Sequence, residues 1–321
     1  MKKVLCFLIS VAMLAGLFMG CGAGGDSGKV KIVTTIFPEY DWVMNVLGDR
    51  AEAAEVTMLL DSGVDLHSYQ PTAADMVRIS SCDLFIYVGG ESDKWVEDAL
   101  KEATNKDMIV LDLMDILGDS VREEELVEGM EAEEEEEEEE EEVEYDEHVW
   151  LSLRNALVCV NTIRDALCTL DGDNAAVYTA NAAGYGEKLT ALDEKYTACT
   201  ENAARNVLLF GDRFPFRYLA DDYGLDYYAA FAGCSAESEA SFETVAFLAG
   251  KLDELALPAV LTLEGSDGKI ARTVVDTSEG KAAEILSMDS MQSTTSEDVK
   301  NGASYLSIME KNLAVLETAL H

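Results

Sequence analysis

The apolar positions of this chain change period several times, and each change marks an element. Val30-Lys31-Ile32-Val33-Thr34-Thr35-Ile36 is a β-rich run that meets Phe37-Pro38, which predicts a strand broken at proline. From Glu39 to Leu47, Tyr40, Val43, Met44 and Leu47 recur at helical spacing, and Gly48-Asp49 closes the segment. Ala54 to Leu60 predicts a second strand. Pro71 and Thr72 can open a helix with Met76, Val77 and Ile79 on its buried face. Asp83 to Val88 predicts a third strand, Trp95 to Ala103 a helix, and Met108 to Leu113 a fourth strand. Strands alternating with helices imply a parallel α/β sheet, whose ligands bind at loops beyond the carboxyl ends of the strands.

After Trp150 the period is helical. Leu153, Leu157, Val160, Ile163, Ala166 and Leu167 form one stripe, broken at Asp171-Gly172-Asp173. A long helix is then expected from Asn174 to Asn202, with Tyr178, Tyr185, Leu189, Leu192 and Tyr196 buried, long enough to connect two lobes. The grammar of the first half then repeats. Strands are expected at Asn206–Phe210, Asp226–Ala232, Ala259–Thr262 and Ala283–Ser287. Gly211-Asp212-Arg213-Phe214-Pro215 reads as a loop at the end of the first. Helices are expected at Phe216–Tyr223, at Ser241–Leu255 with Phe242, Val245, Phe247 and Leu248 inward, at Lys269–Asp276 and at Ala303–Leu320. The fold class is therefore α/β: two lobes, each a parallel sheet flanked by helices, joined by one long linker helix. The lobes are expected at 30–170 and 204–321, with the linker at 171–203.

Composition adds an address and an exclusion. Lys2 and Lys3 precede an apolar stretch from Val4 to Met19, the pattern of a signal peptide over 1–20. Phe18-Met19-Gly20-Cys21 reads as a lipoprotein cleavage site, with Cys21 taking the lipid and 21–29 serving as a flexible tether. The mature chain is then expected outside the cytoplasm, held at the cell membrane. The formal net charge of −40 over 321 residues argues against a nucleic-acid partner. Much of it lies in an acidic loop over 123–147, with ten consecutive glutamates from Glu133 to Glu142. Of seven cysteines, Cys82, Cys159, Cys168, Cys199 and Cys234 remain after Cys6 and Cys21, with no zinc-ribbon or Cys-x-x-Cys spacing. Most sit in apolar or helical surroundings and read as small buried residues.

The candidate chemistry is metal binding. The chain has three histidines. His67 follows a strand, His148 follows the acidic loop, and His321 ends the chain. Neutral imidazole with carboxylates is a donor set for a divalent transition metal. His148 could equally be a structural residue at a helix start behind an acidic spacer. Asp212, Glu237, Glu264 and Asp289 are the second lobe's carboxylates near strand ends.

Four stretches resemble the metal-binding lipoprotein component of bacterial ABC importers for zinc and manganese. They are Thr34-Thr35-Ile36-Phe37-Pro38-Glu39-Tyr40-Asp41, His67-Ser68-Tyr69-Gln70-Pro71-Thr72-Ala73-Ala74-Asp75-Met76, Asp146-Glu147-His148-Val149-Trp150-Leu151 with Arg154-Asn155, and Arg217-Tyr218-Leu219-Ala220-Asp221-Asp222-Tyr223-Gly224-Leu225. The resemblance covers 30–320. It implies that His67, His148 and Asp289 are ligands. It departs at the third ligand, where the family usually has His or Glu and this chain has Arg213. Asp212 is the expected substitute and Glu237 the alternative. The implied cargo is Zn²⁺, with Mn²⁺ or Fe²⁺ as alternatives. The implied partners are an ABC permease and its ATPase, with the protein a monomer and not an enzyme. A lipid-anchored adhesin with incidental metal binding fits the same features. A zinc-dependent hydrolase would need a base such as Glu264, and no His-Glu-x-x-His motif is present.

Overall fold

Two four-stranded sheets, each entirely parallel, carry the molecule. The computed structural model describes residues 28–131, 144–235 and 239–321. The first sheet is built from β1 (Val30–Thr34), β2 (Ala54–Met58), β3 (Leu84–Tyr87) and β4 (Ile109–Asp112), in the order β2-β1-β3-β4. The second uses β5 (Val207–Phe214), β6 (Asp226–Ala232), β7 (Ala259–Leu263) and β8 (Glu284–Met288), in the order β6-β5-β7-β8. The two sheets thus share one topology. In each, strand order reverses beside the first strand, which opens a crevice at the carboxyl edge.

Helices bury their apolar stripes on these sheets. In the first half α1 (Phe37–Leu47) places Trp42, Val43 and Val46 in the core. The next helix, α2 (Ala73–Ser80), is capped by Thr72, which accepts from the Asp75 amide while the Asp75 carboxylate accepts from the Thr72 amide. Then come α3 (Val96–Lys101), α4 (Leu113–Leu117) and α5 (Leu153–Leu170). The 27-residue α6 (Ala175–Glu201) spans ~40 Å at 1.5 Å per residue. It touches both halves: Tyr185 donates to Asp41 of α1 at 3.1 Å, and Tyr196 donates to the Met309 carbonyl of the last helix at 2.6 Å. One apolar core consequently runs through both lobes, and a smaller cluster fills the far face of the second sheet. The second lobe's helices are α7 (Arg217–Tyr223), α8 (Phe242–Glu254), α9 (Lys269–Thr277), α10 (Ser296–Lys300) and α11 (Tyr305–Leu320).

Three expectations are corrected. First, β5 does not stop at Phe210. It bulges and pairs again with β6, Arg213 opposite Phe231 and Phe214 opposite Ala232. Phe214 stacks on Tyr227 with ring centroids 3.7 Å apart, and that apolar contact carries the strand through the polar Asp212-Arg213 pair. Second, Val77 is 69% exposed and Phe242 83% exposed, so neither belongs to its helix's buried face. Phe242 follows directly on the cap residue Ser241, where the chain has not yet turned onto the sheet. Third, two short helices were not foreseen, α4 and α10, each started by a side-chain cap, Asp112 and Thr295. Cys21, the polyglutamate run and Glu237 lie outside the described residues. No helix among the described residues is long and apolar enough to cross a membrane.

Candidate metal centre

His67 sits in a short 3-10 turn, Leu66–Ser68, beyond the carboxyl end of β2. Asp65 caps that turn by accepting from the His67 amide at 3.0 Å. His148 immediately precedes a second 3-10 turn, Val149–Leu151, and is fully buried. Trp150 anchors that turn across the lobes: its indole N–H donates to the Ser290 carbonyl at 2.8 Å, and its own carbonyl accepts from Tyr305 at 2.7 Å. The two imidazoles meet with Nε2 atoms 3.2 Å apart.

Each ring is oriented from behind. His148 Nδ1 lies 2.9 Å from Asp146 Oδ1, which also accepts the His148 amide at 2.8 Å. His67 Nδ1 lies 2.9 Å from Ser92 Oγ and 3.3 Å from Glu147 Oε2. Glu147 Oε1 in turn accepts the Ser92 amide at 2.8 Å. A carboxylate only accepts, so the Asp146 contact places a proton on His148 Nδ1 and turns its Nε2 toward His67, whose own Nε2 faces it. Gly90 permits this packing. A β-carbon there would stand 2.5 Å from Glu147 Oε1, and its φ is +81°.

Electrostatics follow the same geometry. Burial pushes the His148 imidazole down, but the adjacent Asp146 carboxylate, its hydrogen bond, and the charges of Asp65 and Glu147 outweigh it, and its pKa is raised. Burial pushes Glu147 up, and hydrogen bonds from His67, the Ser92 hydroxyl and the Ser92 amide leave it below its ordinary value. The 3.2 Å approach of the two Nε2 atoms suits either a shared proton or a metal ion bound by both.

From the second lobe one donor reaches the pair. Among the described residues, ligand atoms of His67, His148 and Cys234 all lie within 4.8 Å of one another. Cys234 follows β6 in Ala232-Gly233-Cys234-Ser235, and its amide donates to Glu124 at 2.9 Å. Burial, with the Asp146 and Glu124 carboxylates, pushes its thiol well up. Gly233 is pressed against the site: a β-carbon there would stand 3.2 Å from the His148 ring and 2.9 Å from the Phe214 carbonyl. Sequence reading passed over Cys234 as one more small buried residue. Its position in a polar loop at the carboxyl end of a parallel strand was the available signal.

Three of the second lobe's carboxylates hold nearby backbone and hydroxyl groups. Asp212 accepts the Arg213 amide at 3.0 Å and the Leu263 amide at 3.2 Å. Asp289 accepts the Met291 amide at 2.8 Å, while its own amide is held by Asn312 at 2.9 Å. Glu264 accepts both the Ser290 amide and hydroxyl at 2.7 Å, and burial with the nearby Asp289 charge raises its pKa to about 7. None of the three joins the histidine pair within 4.8 Å.

Two parallel-sheet lobes braced by one helix, with metal-type donors gathered where loops of both carboxyl edges meet, define a two-lobe binding protein whose site lies in the cleft. The family follows from sequence: residues 32–319 match the model of ZnuA, zinc-uptake complex component A periplasmic, and the chain belongs to that family. It is 32% identical over 322 residues to the zinc-binding lipoprotein AdcA of Streptococcus pneumoniae, covering 99% of this chain and 61% of that protein. Against the high-affinity zinc uptake system protein ZnuA of Bacillus subtilis it is 30% identical, covering 98% of this chain and 95% of that one. The zinc-binding protein AdcA of Streptococcus pyogenes is 30% identical, and the chain spans 56% of its length. The Zn(II)-bound ZnuA-like domain of Streptococcus pneumoniae AdcA superposes with a TM-score of 0.71 at 30% identity, covering 91% of this chain and 99% of that one.

Proposed function

We propose that this protein captures Zn²⁺ in the cleft between its lobes and delivers it to an ABC permease, working outside the cytoplasm and anchored to the membrane by lipid on Cys21. One observation carries the reading. His67 and His148 point their Nε2 atoms at each other across 3.2 Å, with a carboxylate beside each ring's far nitrogen. Two nitrogens bound to one tetrahedral Zn²⁺ at ~2.05 Å stand ~3.3 Å apart. The separation of the two nitrogens matches what one zinc ion held by both rings requires.

The names of the relatives support zinc as the cargo, and imidazole donors suit it better than they suit Mn²⁺. Nothing in this cluster activates a nucleophile, and its carboxylates orient the rings instead of facing an open cavity. Capture and release require no turnover. Titration calorimetry of zinc into the purified chain tests the reading. One high-affinity equivalent is expected, lost in both His67→Ala and His148→Ala. Unchanged binding in the two variants would refute it. Delivery is tested by growth under zinc limitation of cells carrying either variant.

A further inference from the structure

We infer that Cys234 supplies the second lobe's ligand to the bound metal as a thiolate, and that Arg213 positions it. The inference rests on the metal-capture reading above and names the donor that completes it. The cluster contains one atom from the second lobe, the Cys234 sulfur. The loop bearing it is fixed on both sides of the cysteine. Glu124 accepts from the Cys234 amide at 2.9 Å, and Arg213 donates through Nη1 to the Ser235 carbonyl at 3.2 Å. The other end of the same guanidinium, Nη2, donates to Asp65 Oδ2 at 2.6 Å. Asp65 Oδ1 holds the amide of His67. One cation therefore ties the loop of the second-lobe donor to the loop of a first-lobe donor.

A cationic side chain on the cleft side of β5 is thus a clamp between lobes, and the donor role passes to the neighbouring strand's loop. Arg213 and Phe231 are paired on adjacent strands, and Cys234 lies three residues beyond Phe231. Binding replaces the thiol proton by the metal: the S–H bond breaks, a Zn–S bond forms, and one proton leaves to solvent. Two imidazoles and one thiolate make a soft N₂S set. It should favour Zn²⁺, Co²⁺ and Cd²⁺ strongly over Mn²⁺, which prefers oxygen donors.

The test uses the full chain loaded with Co²⁺ and, separately, titrated with Zn²⁺ and Mn²⁺. A thiolate-to-cobalt charge-transfer band in the near ultraviolet is expected, and it should vanish in Cys234→Ser. Zinc affinity should fall about 100-fold in Cys234→Ser, with manganese affinity little changed. Arg213→Ala should weaken zinc by about tenfold while keeping the band, because it moves the donor without removing it. In the unmodified chain, zinc should protect the Cys234 peptide from iodoacetamide, read by mass spectrometry, which does not depend on any variant folding. Absence of the band, or alkylation of Cys234 unaffected by zinc, would overturn the assignment while leaving the histidine site standing. Zinc affinity lost in Asp289→Asn or Asp212→Asn and unchanged in Cys234→Ser, with no thiolate band in the unmodified chain, would move the role to a carboxylate. Zinc binding indifferent to both histidines would instead remove the functional reading itself.

Discussion

The loops at the carboxyl edges of the two sheets are made from similar residues and do different work. In the first lobe the carboxylates of Asp146 and Glu147 stand behind imidazoles, and the nitrogens face the cleft. In the second lobe both oxygens of Asp212 and one each of Glu264 and Asp289 accept backbone amides, and the donor atom within 4.8 Å of the histidine pair among the described residues is a sulfur. A carboxylate that accepts amide N–H groups stabilises a turn and is held in one orientation by it. Position after a parallel strand thus brings several kinds of donor to one edge, and their separations from the histidine pair differ.

The largest effect that would test this contrast is removal of a ring. His148→Ala or His67→Ala should lower zinc affinity by orders of magnitude in calorimetry, with the fold retained by circular dichroism. Next comes the residue behind the ring. Asp146→Asn keeps the shape but removes the charge that fixes the His148 tautomer, and zinc affinity should fall ~10–100-fold. Gly233→Ala belongs to the same class, since its methyl would press on the His148 ring 3.2 Å away. The second lobe should behave in the opposite way. Asp212→Asn should cost ~1–2 kcal/mol of stability in denaturant unfolding through a damaged amide contact, and leave zinc affinity within about twofold. A large affinity loss there would erase the contrast.

A smaller effect separates the metal-free and loaded forms by pH. In the metal-free protein Asp93 has its pKa raised to about 7, first by burial, and Asp41 to about 6, again first by burial. One oxygen of Asp93, Oδ1, is buried without a hydrogen-bond partner. A carboxyl raised above its unfolded value of ~3.9 favours the folded state when protonated. Its contribution is complete below the unfolded value and is lost as pH rises through the folded one. His148, also raised, adds in the same direction. The melting temperature of the metal-free protein should therefore rise as pH falls from about 8 to about 5. The extra stabilisation given by zinc should shrink over the same range, because protons compete for His148. Deleting Glu133–Glu142 is expected to have the smallest effect, with calorimetric affinity barely changed.

The hydrophobic periodicity determined most of the architecture: eight strands, the long helix and the repeated half-chain grammar are local patterns that propensity and burial agree upon. It also placed His67 after the second strand, at a carboxyl edge where the structure brings it against His148. Which second-lobe donor stands nearest the pair among the described residues was decided by tertiary contact. The path of β5 past Phe210 depends on Phe214 stacking on Tyr227, residues thirteen positions apart, so Asp212-Arg213 reads as a loop from the sequence. Arg213 becomes a clamp only because Asp65 of the other lobe lies opposite. Cys234 becomes a candidate ligand only because the lobes close its loop against His148. Element type is a property of a window of residues, whereas a coordination sphere is a property of distances between loops far apart in the chain, and only packing sets those distances.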